Sequence, residues 1–368
     1  MKVIISGGGS GGHIFPAIAI ANALKERIPN LEVLFVGAEG KIEMEKVPKA
    51  GYEIEGLWIS GFHRKLTTRN LAFPFKLLSS LWKAYRILQR FQPAVVIGVG
   101  GFASGPTLKV ATWKGIPTLI QEQNSYPGIT NRLLAKEVNT ICVAYDRMER
   151  YFPKNKIVRT GNPVRQDIEI TAAKRKAAYE YYELDPTKKT IFLFGGSLGA
   201  RSLNDAMLAN ADLIAEQDEV QILWQAGKLY IEEFRTSATA KLPNVVVKAF
   251  IDRMDLAYAM ADVVICRAGA LTISELSLLG KTAILVPSPN VAEDHQTMNA
   301  KALVEADAAI LVKDKDCAND MIMKALSLLD NEIMQEKLAK NITTLAKPAA
   351  SNEIVNEILK LVPNRLGS

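Results

Sequence analysis

The chain has 368 residues, 48% of them hydrophobic and 23% charged, with a formal net charge of +6 at pH 7. A chain of this length is too long for one domain with a single hydrophobic core and suits two domains of about 150–200 residues each. The composition is that of a soluble globular protein. No apolar run approaches the ~20 residues of a membrane span. The amino terminus leads directly into a predicted strand and glycine loop, so no signal peptide is expected.

Strand and helix patterns alternate along the whole sequence. Because the strand-like runs are apolar on both faces, they predict an α/β protein with parallel sheets covered by helices on both sides. In the first half the predicted strands are 3–6, 33–37, 95–99, 118–121, 141–144 and 157–159, and the predicted helices include 17–27, 75–89 and 107–113. In the second half the predicted strands are 191–194, 222–224, 245–248, 263–266, 283–286 and 310–312.

The boundary between the two domains is expected near residues 160–165. Pro163 disfavours a helical conformation at Asn162, and the segment closes one strand pattern before a charged helix begins. The predicted domains are therefore residues 1–162 and 163–344. A final helix is predicted at about 352–361, with one apolar face.

The three cysteines, Cys142, Cys266 and Cys317, are odd in number and far apart in the sequence. Two of them lie in apolar strand-like runs. This pattern indicates buried, reduced thiols in a cytosolic protein and disfavours a disulfide framework or a metal site.

A glycine loop follows the first predicted strand. Three glycines of residues 7–12 have the G-x-G-x-x-G spacing of a dinucleotide site, and Glu39 is placed to bind a ribose, so an NAD-dependent oxidoreductase is one interpretation. Two residues count against this interpretation. His13 and Pro16 are predicted at the start of the following helix, with Pro16 in its first turn, whereas a dinucleotide fold favours small residues there.

A second glycine loop at 195–200 opens the second domain. Two such loops suit an enzyme that binds one phosphorylated substrate per domain.

The most informative stretch is residues 261–300. After the strand at 263–266, Thr272 is predicted to cap a helix, with Glu275 in the capping-box position and Gly280 at the helix end. One interpretation is an ordinary strand–helix unit in which Glu275 only caps. The polar residues at 293–299 favour a ligand site, because they follow the next strand, where open α/β sheets bind ligands.

The run from Gly269 to Glu275, with residues 294–296 and 299–300, resembles the nucleotide-sugar signature of the MurG family, bacterial transferases of glycosyltransferase family 28. Both glycine loops and the motifs at 98–106, 121–124 and 161–165 match in order, so the resemblance covers nearly the whole chain. It implies a GT-B fold, in which two Rossmann-like domains with doubly wound parallel sheets face each other across a cleft. It also implies that a final helix, about 345–368, packs back on the first domain.

The resemblance implies an inverting transfer of N-acetylglucosamine (GlcNAc) from UDP-GlcNAc to the C4 hydroxyl of the muramoyl sugar of undecaprenyl-linked lipid I. The product is lipid II, for peptidoglycan synthesis, and the enzyme is expected to be peripheral, on the cytoplasmic face of the cell membrane. No cofactor and no metal are expected, because helix N-termini and loop amides can stabilise the departing UDP. The only Asp-x-Asp triplet, 314–316, is far from the glycine loops in sequence and is interpreted as a solvated turn.

Two rival functions are kept open. A UDP-GlcNAc 2-epimerase has a similar fold and binds the same nucleotide but needs no lipid acceptor. A non-catalytic, membrane-associated nucleotide sensor would bind the nucleotide sugar without turnover. The basic apolar segment and the Gly-Gly-His-x-x-Pro loop favour the transferase over the epimerase.

Transferred position by position, the resemblance implies a set of contacts to UDP-GlcNAc and to the sugar and acceptor pocket. Glu275 would bind the ribose hydroxyls, the backbone of Ile251 would pair with the uracil edge, and Ser197 would contact the diphosphate. The full set is Ser10, Gly11, Gly12, Asn124, Arg165, Ser197, Ile251, Ala270, Leu271, Thr272, Glu275, His295 and Gln296.

The acceptor hydroxyl must lose a proton during the transfer. His13 is the first candidate for the catalytic base, because its ordinary pKa lies near the operating pH and it sits at a glycine loop. The alternative is that His13 only orients the acceptor or bonds to a loop carbonyl. Glu122 is the second candidate for a catalytic or positioning role, with structural burial in a hydrogen bond as its alternative.

No acidic residue occurs between Glu55 and Glu122, while lysines and arginines are frequent there. The helical pattern within this segment mixes large apolar and basic residues, as in helices that lie on anionic bilayers. The predicted membrane contacts are Phe75, Leu78, Trp82, Lys83 and Arg86. The alternative is an ordinary surface helix with its apolar side on the core. Nucleic acid is disfavoured as a partner, because the charge clusters with large apolar residues.

Overall fold

In the computed structural model, the structure describes residues 1–61, 73–164, 168–291 and 294–362. The chain divides into two compact units: unit 1 comprises Met1–Arg165 and Lys347–Ser368, and unit 2 comprises Gln166–Ala346. Each unit contains a parallel sheet covered by helices, which confirms the predicted α/β class. Within the described residues, no helix is both long enough and apolar enough to cross a membrane.

Unit 1 contains a seven-stranded parallel sheet with the strand order β3-β2-β1-β4-β5-β6-β7. Its strands are β1 (Lys2–Ser6), β2 (Glu32–Ala38), β3 (Glu53–Leu57), β4 (Val95–Gly98), β5 (Thr118–Glu122), β6 (Thr140–Val143) and β7 (Ile157–Arg159). Its helices are α1 (Gly11–Arg27), α2 (Glu43–Lys49), α3 (Phe73–Phe91), α4 (Ser104–Trp113), α5 (Ile129–Leu134) and, from the end of the chain, α15 (Ala350–Lys360).

Both faces of the unit 1 sheet are buried. Along β1, Val3 and Ile5 belong to one apolar cluster and Ile4 to the cluster on the opposite face, because side chains alternate along a strand. The terminal helix α15 contributes to the first of these clusters through Ile354, Val355 and Ile358, which are fully buried. The core of unit 1 is therefore built from both ends of the sequence.

Unit 2 contains a six-stranded parallel sheet with the order β10-β9-β8-β11-β12-β13. Its strands are β8 (Lys189–Phe194), β9 (Val220–Gln225), β10 (Val245–Lys248), β11 (Val263–Cys266), β12 (Ala283–Leu285) and β13 (Ile310–Leu311). Its helices are α6 (Ala172–Tyr182), α7 (Arg201–Ala209), α8 (Ala211–Ala215), α9 (Ile231–Phe234), α10 (Met254–Met260), α11 (Ala270–Leu279), α12 (His295–Val304), α13 (Cys317–Leu329) and α14 (Glu332–Thr343).

Every predicted strand is present, but strand β3 was missed. It is the edge strand of its sheet, and Glu53 and Glu55 interrupt the apolar pattern by which the other strands were recognised. Charged residues are common on edge strands, because one side of the strand stays in contact with water.

Two helix starts also differ from the predictions. Helix α1 begins at Gly11, six residues before the predicted start, so Pro16 lies inside the helix instead of in its first turn. Helix α11 begins at Ala270 with Gly269 as its N-cap, so the predicted capping box of Thr272 and Glu275 is wrong. The predicted end at Gly280 is confirmed, since this residue adopts the left-handed conformation (φ 61°).

All three cysteines are buried free thiols, as predicted. Burial raises the pKa of the Cys142 and Cys266 thiols well above the usual range and raises that of Cys317 to about 11. These thiols therefore behave as small apolar side chains within the core.

Candidate active site

The glycine loop of unit 1 lies at the carboxyl end of β1, between the ends of β2 and β4. This is the position where the strand order reverses, and open α/β sheets bind ligands there. Gly8 and Gly9 adopt positive φ angles of 140° and 87°. The Gly8 N–H donates to the Gly100 carbonyl at 3.2 Å. A Cβ atom on Gly101 would lie 2.2 Å from the Gly8 carbonyl oxygen, so the loops after β1 and β4 pack backbone against backbone.

His13 follows this loop in the first turn of α1 and is partly exposed. Its Nδ1 lies 3.1 Å from Oε1 of the buried Gln123, whose Nε2 donates to the Val99 carbonyl at 2.9 Å. Because that second bond fixes the orientation of the amide, Gln123 presents an acceptor and His13 Nδ1 must carry the proton. A neutral His13 therefore has its lone pair on Nε2, which is the arrangement that a general base requires.

Glu122 is 1% exposed and ends strand β5. One carboxylate oxygen accepts from the Asn124 backbone at 3.0 Å, and the other accepts from the Gly128 backbone at 3.1 Å and from Asn131 Nδ2 at 2.8 Å. These bonds hold the loop that carries Asn124. The geometry supports a structural role for Glu122, and its catalytic role stays a prediction.

The glycine loop of unit 2, residues 195–200, has the equivalent position after β8, between β9 and β11. Gly199 and Gly227 adopt φ angles of 91° and 93°, and a Cβ atom on Gly227 would lie 2.1 Å from Gly199 Cα. Only residues without a side chain permit this approach of two backbones. Ser197, a predicted diphosphate contact, lies within this loop and is partly exposed.

A cavity of about 570 Å³ in unit 2 adjoins this loop. It is lined by loop glycines, by Gly269 and Thr272 at the start of α11, and by Gln296 of α12. Ala270 and Leu271 belong to the same first turn of α11. The cavity thus combines a glycine loop with a helix N-terminus, and both present backbone N–H groups that favour a phosphate. Gln296 is oriented by its Oε1, which accepts from the Ser288 N–H at 2.8 Å.

Three polar side chains that the sequence analysis did not assign to the site meet at this cavity. Arg267 Nη1 lies 2.5 Å from Asp314 Oδ1, and its Nη2 donates to Ser202 Oγ at 2.8 Å. The interpretation of residues 314–316 as a solvated turn remote from the loops is therefore wrong for Asp314. Since β8, β11, β12 and β13 are parallel neighbours, residues that follow them share one edge of the sheet despite their separation in sequence.

Glu275 and Ile251 lie in the buried part of unit 2. The Tyr258 hydroxyl donates to Glu275 Oε2 at 3.0 Å, and Tyr258 and Ile251 belong to one apolar cluster. The Ile251 N–H donates to Gln225 Oε1 at 3.2 Å, and Gln225 Nε2 donates to the Gly196 carbonyl at 2.7 Å. The Ile251 N–H is thus already bonded within unit 2, and the pairing of the Ile251 backbone with uracil stays a prediction.

The remaining predicted residues have simpler positions. Ser10 is the N-cap residue of α1, and Gly11 and Gly12 begin that helix. His295 is the first residue of α12. Arg165 lies outside the described residues. In the part of the chain that the structure describes, no group of three His, Cys, Asp or Glu side chains is placed to hold a metal ion.

Helix α3 carries the predicted membrane residues. Its core face consists of Ser80, Ala84, Ile87 and Leu88. On the opposite face, Phe75, Leu78 and Trp82 are 71%, 65% and 62% exposed. Arg86 lies over the Trp82 ring at 4.9 Å, and Lys83 pairs with Glu39 at 3.0 Å. The helix therefore has an apolar face beyond the one that packs on its own core.

Comparison with known proteins gives a consistent result over both units. Residues 3–143 match the model of the glycosyltransferase family 28 N-terminal domain, and residues 190–356 match that of the C-terminal domain. The chain is 56% identical over 364 residues to the UDP-N-acetylglucosamine--N-acetylmuramyl-(pentapeptide) pyrophosphoryl-undecaprenol N-acetylglucosamine transferase of Flavobacterium psychrophilum, covering 99% of this chain and 98% of that protein.

Two solved structures complete the comparison. A crystal structure of Acinetobacter baumannii MurG has a TM-score of 0.75 and 30% identity, covering 98% of this chain and 99% of that one. A UDP-GlcNAc 2-epimerase from Neisseria meningitidis, bound to UDP-GlcNAc, has a TM-score of 0.69 at 15% identity, with 98% and 100% covered, and shows the shared fold alone. The predicted GT-B class is confirmed, and the chain belongs to glycosyltransferase family 28.

Proposed function

We propose that this protein transfers GlcNAc from UDP-GlcNAc to the C4 hydroxyl of the muramoyl sugar of lipid I, forming lipid II with inversion at the anomeric carbon. The observation that carries the proposal is the 56% identity, over 99% of the chain, to a transferase named for this reaction. The epimerase alternative is supported by similarity of fold to an epimerase that is 15% identical in sequence. The transferase is therefore the better supported function.

On the donor side, unit 2 stabilises UDP as the leaving group. The bond from the anomeric carbon to the phosphate oxygen breaks, and negative charge develops on the diphosphate. The amides of residues 195–200 and of the first turn of α11 face this charge. Arg267 lies at the same cavity, with its charge partly balanced by Asp314. The Glu275 carboxylate, oriented by Tyr258, accepts hydrogen bonds from the ribose hydroxyls, and Gln296 with His295 binds the GlcNAc ring.

On the acceptor side, His13 acts as the general base. Its Nε2 takes the proton of the C4 hydroxyl while that oxygen forms the new bond to the anomeric carbon. The bond from Nδ1 to Gln123 supports this role, because it fixes the tautomer and opposes rotation of the imidazole ring. Ser10, Gly11, Gly12 and Asn124 shape the pocket around the two sugars.

The function is tested by measuring UDP release from UDP-GlcNAc with and without a lipid I analogue. We expect release only when the acceptor is present, with the glycosylated lipid as the second product. Release of UDP without acceptor dependence, together with formation of the 2-epimer, would establish the epimerase instead. Tight binding of UDP-GlcNAc without turnover under either condition would favour a nucleotide sensor.

We also propose that the exposed face of α3 contacts an anionic membrane surface, which places the enzyme on the cytoplasmic face where its lipid acceptor is anchored. Three large apolar side chains with basic residues beside them support this proposal. Arg86 is better placed to meet lipid headgroups than Lys83, because the Lys83 charge is partly balanced by Glu39.

Replacement of Trp82 by serine together with Arg86→Glu is expected to weaken binding to vesicles that contain anionic lipid by roughly 10²-fold to 10³-fold. Loss of a large apolar contact contributes about 1.5–3 kcal/mol, and each basic residue near an anionic surface contributes about 1 kcal/mol. Vesicle sedimentation measures the effect, and UDP affinity should be unchanged. Ile333→Ser is the matched control, since Ile333 is an exposed apolar residue of unit 2. Equal vesicle binding by the double variant and the parent would exclude this surface.

A further inference from the structure

Glu43 is the first residue of α2 and is fully buried beneath the glycine loop of unit 1. Its Oε2 accepts from the Gly9 N–H at 2.8 Å, and its Oε1 accepts from the Ala38 N–H at 3.0 Å. Gly9 belongs to the loop after β1, and Ala38 ends the neighbouring strand β2. One carboxylate therefore ties together the ends of two adjacent strands at the candidate active site.

The packing around Glu43 is as specific as its hydrogen bonds. A Cβ atom on Gly8 would lie 2.2 Å from the Glu43 carboxyl carbon, and one on Gly37 would lie 2.5 Å from its Cγ. Both positions thus lack the space for a side chain because Glu43 occupies it. The loop glycines of this unit make room for a buried protein carboxylate, and the Gly9 amide binds that carboxylate.

The contacts continue from Glu43 to His13. Gly9 precedes Ser10, the N-cap of α1, and Gly8 bonds to Gly100. The His13 imidazole lies against Gly100, where an added Cβ would be 2.9 Å from His13 Cε1. A continuous series of contacts therefore joins the Glu43 carboxylate to the start of α1 and to the His13 imidazole.

The chemistry of the contact explains why a carboxylate is needed. Two backbone donors approach the two oxygens, and a carboxylate offers an acceptor to each. A glutamine has nearly the same shape, but its NH2 group would face one of the two N–H groups. Two N–H donors cannot hydrogen-bond to each other, so glutamine at this position would leave either the Gly9 or the Ala38 N–H buried without an acceptor. One of the two hydrogen bonds that hold the loop and β2 would be lost.

We propose that Glu43 is a positioning residue for the acceptor half of the reaction. Its carboxylate holds the loop of residues 7–10 in the conformation that orients the His13 imidazole toward Gln123. The kinetic part of this inference rests on the proposed function, in which His13 serves the acceptor hydroxyl. The structural part, the orientation of His13, does not depend on any activity.

The test compares Glu43→Gln with Val47→Ala in the full-length protein. Val47 is a fully buried residue of the same helix, and its apolar side chain cannot hydrogen-bond to the loop. Three properties are measured: the melting temperature, kcat with KM for each substrate, and the ¹⁵N spectrum of the histidine rings. The spectrum is tractable because the chain has three histidines.

For Glu43→Gln we expect kcat to fall by roughly 10-fold to 100-fold, with KM for UDP-GlcNAc within about twofold of the parent. The His13 ring should change from the Nδ1–H tautomer to a mixture of tautomers. For Val47→Ala we expect a comparable fall in melting temperature with kcat and the ring spectrum unchanged.

An unchanged His13 spectrum and kcat in Glu43→Gln would overturn the proposal. So would an equal loss of kcat in Val47→Ala, because the effect would then be one of stability alone. Absence of transferase activity in the parent would refute the proposed function instead, and the ring spectrum would still decide whether Glu43 positions His13.

Discussion

Replacing His13 with alanine is expected to lower kcat for acceptor-dependent UDP release by about 10²-fold to 10⁴-fold, the usual contribution of a general base. The bond from Nδ1 to Gln123 leaves Nε2 as the basic nitrogen of the neutral ring, and alanine removes that nitrogen. UDP affinity, measured by calorimetry, should not change, because the residues proposed to bind UDP belong to unit 2.

His13→Asn separates the catalytic role from an orienting role. Asparagine keeps a short side chain with an N–H donor for Gln123 but has no nitrogen that can accept a proton at neutral pH. If His13 is the base, the asparagine variant should be as inactive as the alanine variant. Substantial activity in the asparagine variant would leave His13 only the task of orienting the acceptor.

Gly227→Ala is expected to destabilise unit 2 by about 2–5 kcal/mol and to abolish UDP binding. The left-handed conformation itself costs a residue with a side chain about 1–2 kcal/mol, and a contact of 2.1 Å with the Gly199 backbone forces the glycine loop to move. Denaturant unfolding followed by the fluorescence of Trp224, which is fully buried in unit 2, measures the loss.

Gly196→Ala provides the matched control for stability. Gly196 has nearly the same backbone angle, with φ at 92°, but a Cβ atom there would meet no other atom within 4 Å. Its substitution should therefore cost only the conformational part, about 1–2 kcal/mol. If both variants lose the same stability, the close approach of Gly199 and Gly227 is not what requires glycine at these positions.

The sequence was sufficient to predict the parts of the fold that depend on local patterns. Buried strands such as β1 and β8 appear as short apolar runs, and the loops after them appear as glycine clusters, since only glycine adopts their backbone angles readily. Helix starts were less predictable. At α11 the chain turns at Gly269 without a side-chain cap, so the capping signal at Thr272 was misleading.

The parts of the site that could not be predicted depend on contacts between distant residues. Arg267 and Asp314 meet because strands far apart in sequence are neighbours in the sheet. Glu43 gives no signal in the sequence, because one acid in a short charged helix resembles any surface residue. Its burial follows from the absence of side chains at Gly8 and Gly37, which a pattern read along the chain does not reveal.

Because α15 belongs to unit 1 but follows unit 2 in the sequence, it affects the order in which the two units fold during synthesis. Residues 166–346 form an uninterrupted unit that can fold as soon as they emerge. Helix α1, in contrast, lacks the apolar partners Ile354, Val355 and Ile358 until α15, which follows that unit in the sequence, has been synthesised. The half of the molecule that is synthesised first is therefore the half that finishes folding last. During that interval the apolar side of α1 that α15 later covers stays exposed to water.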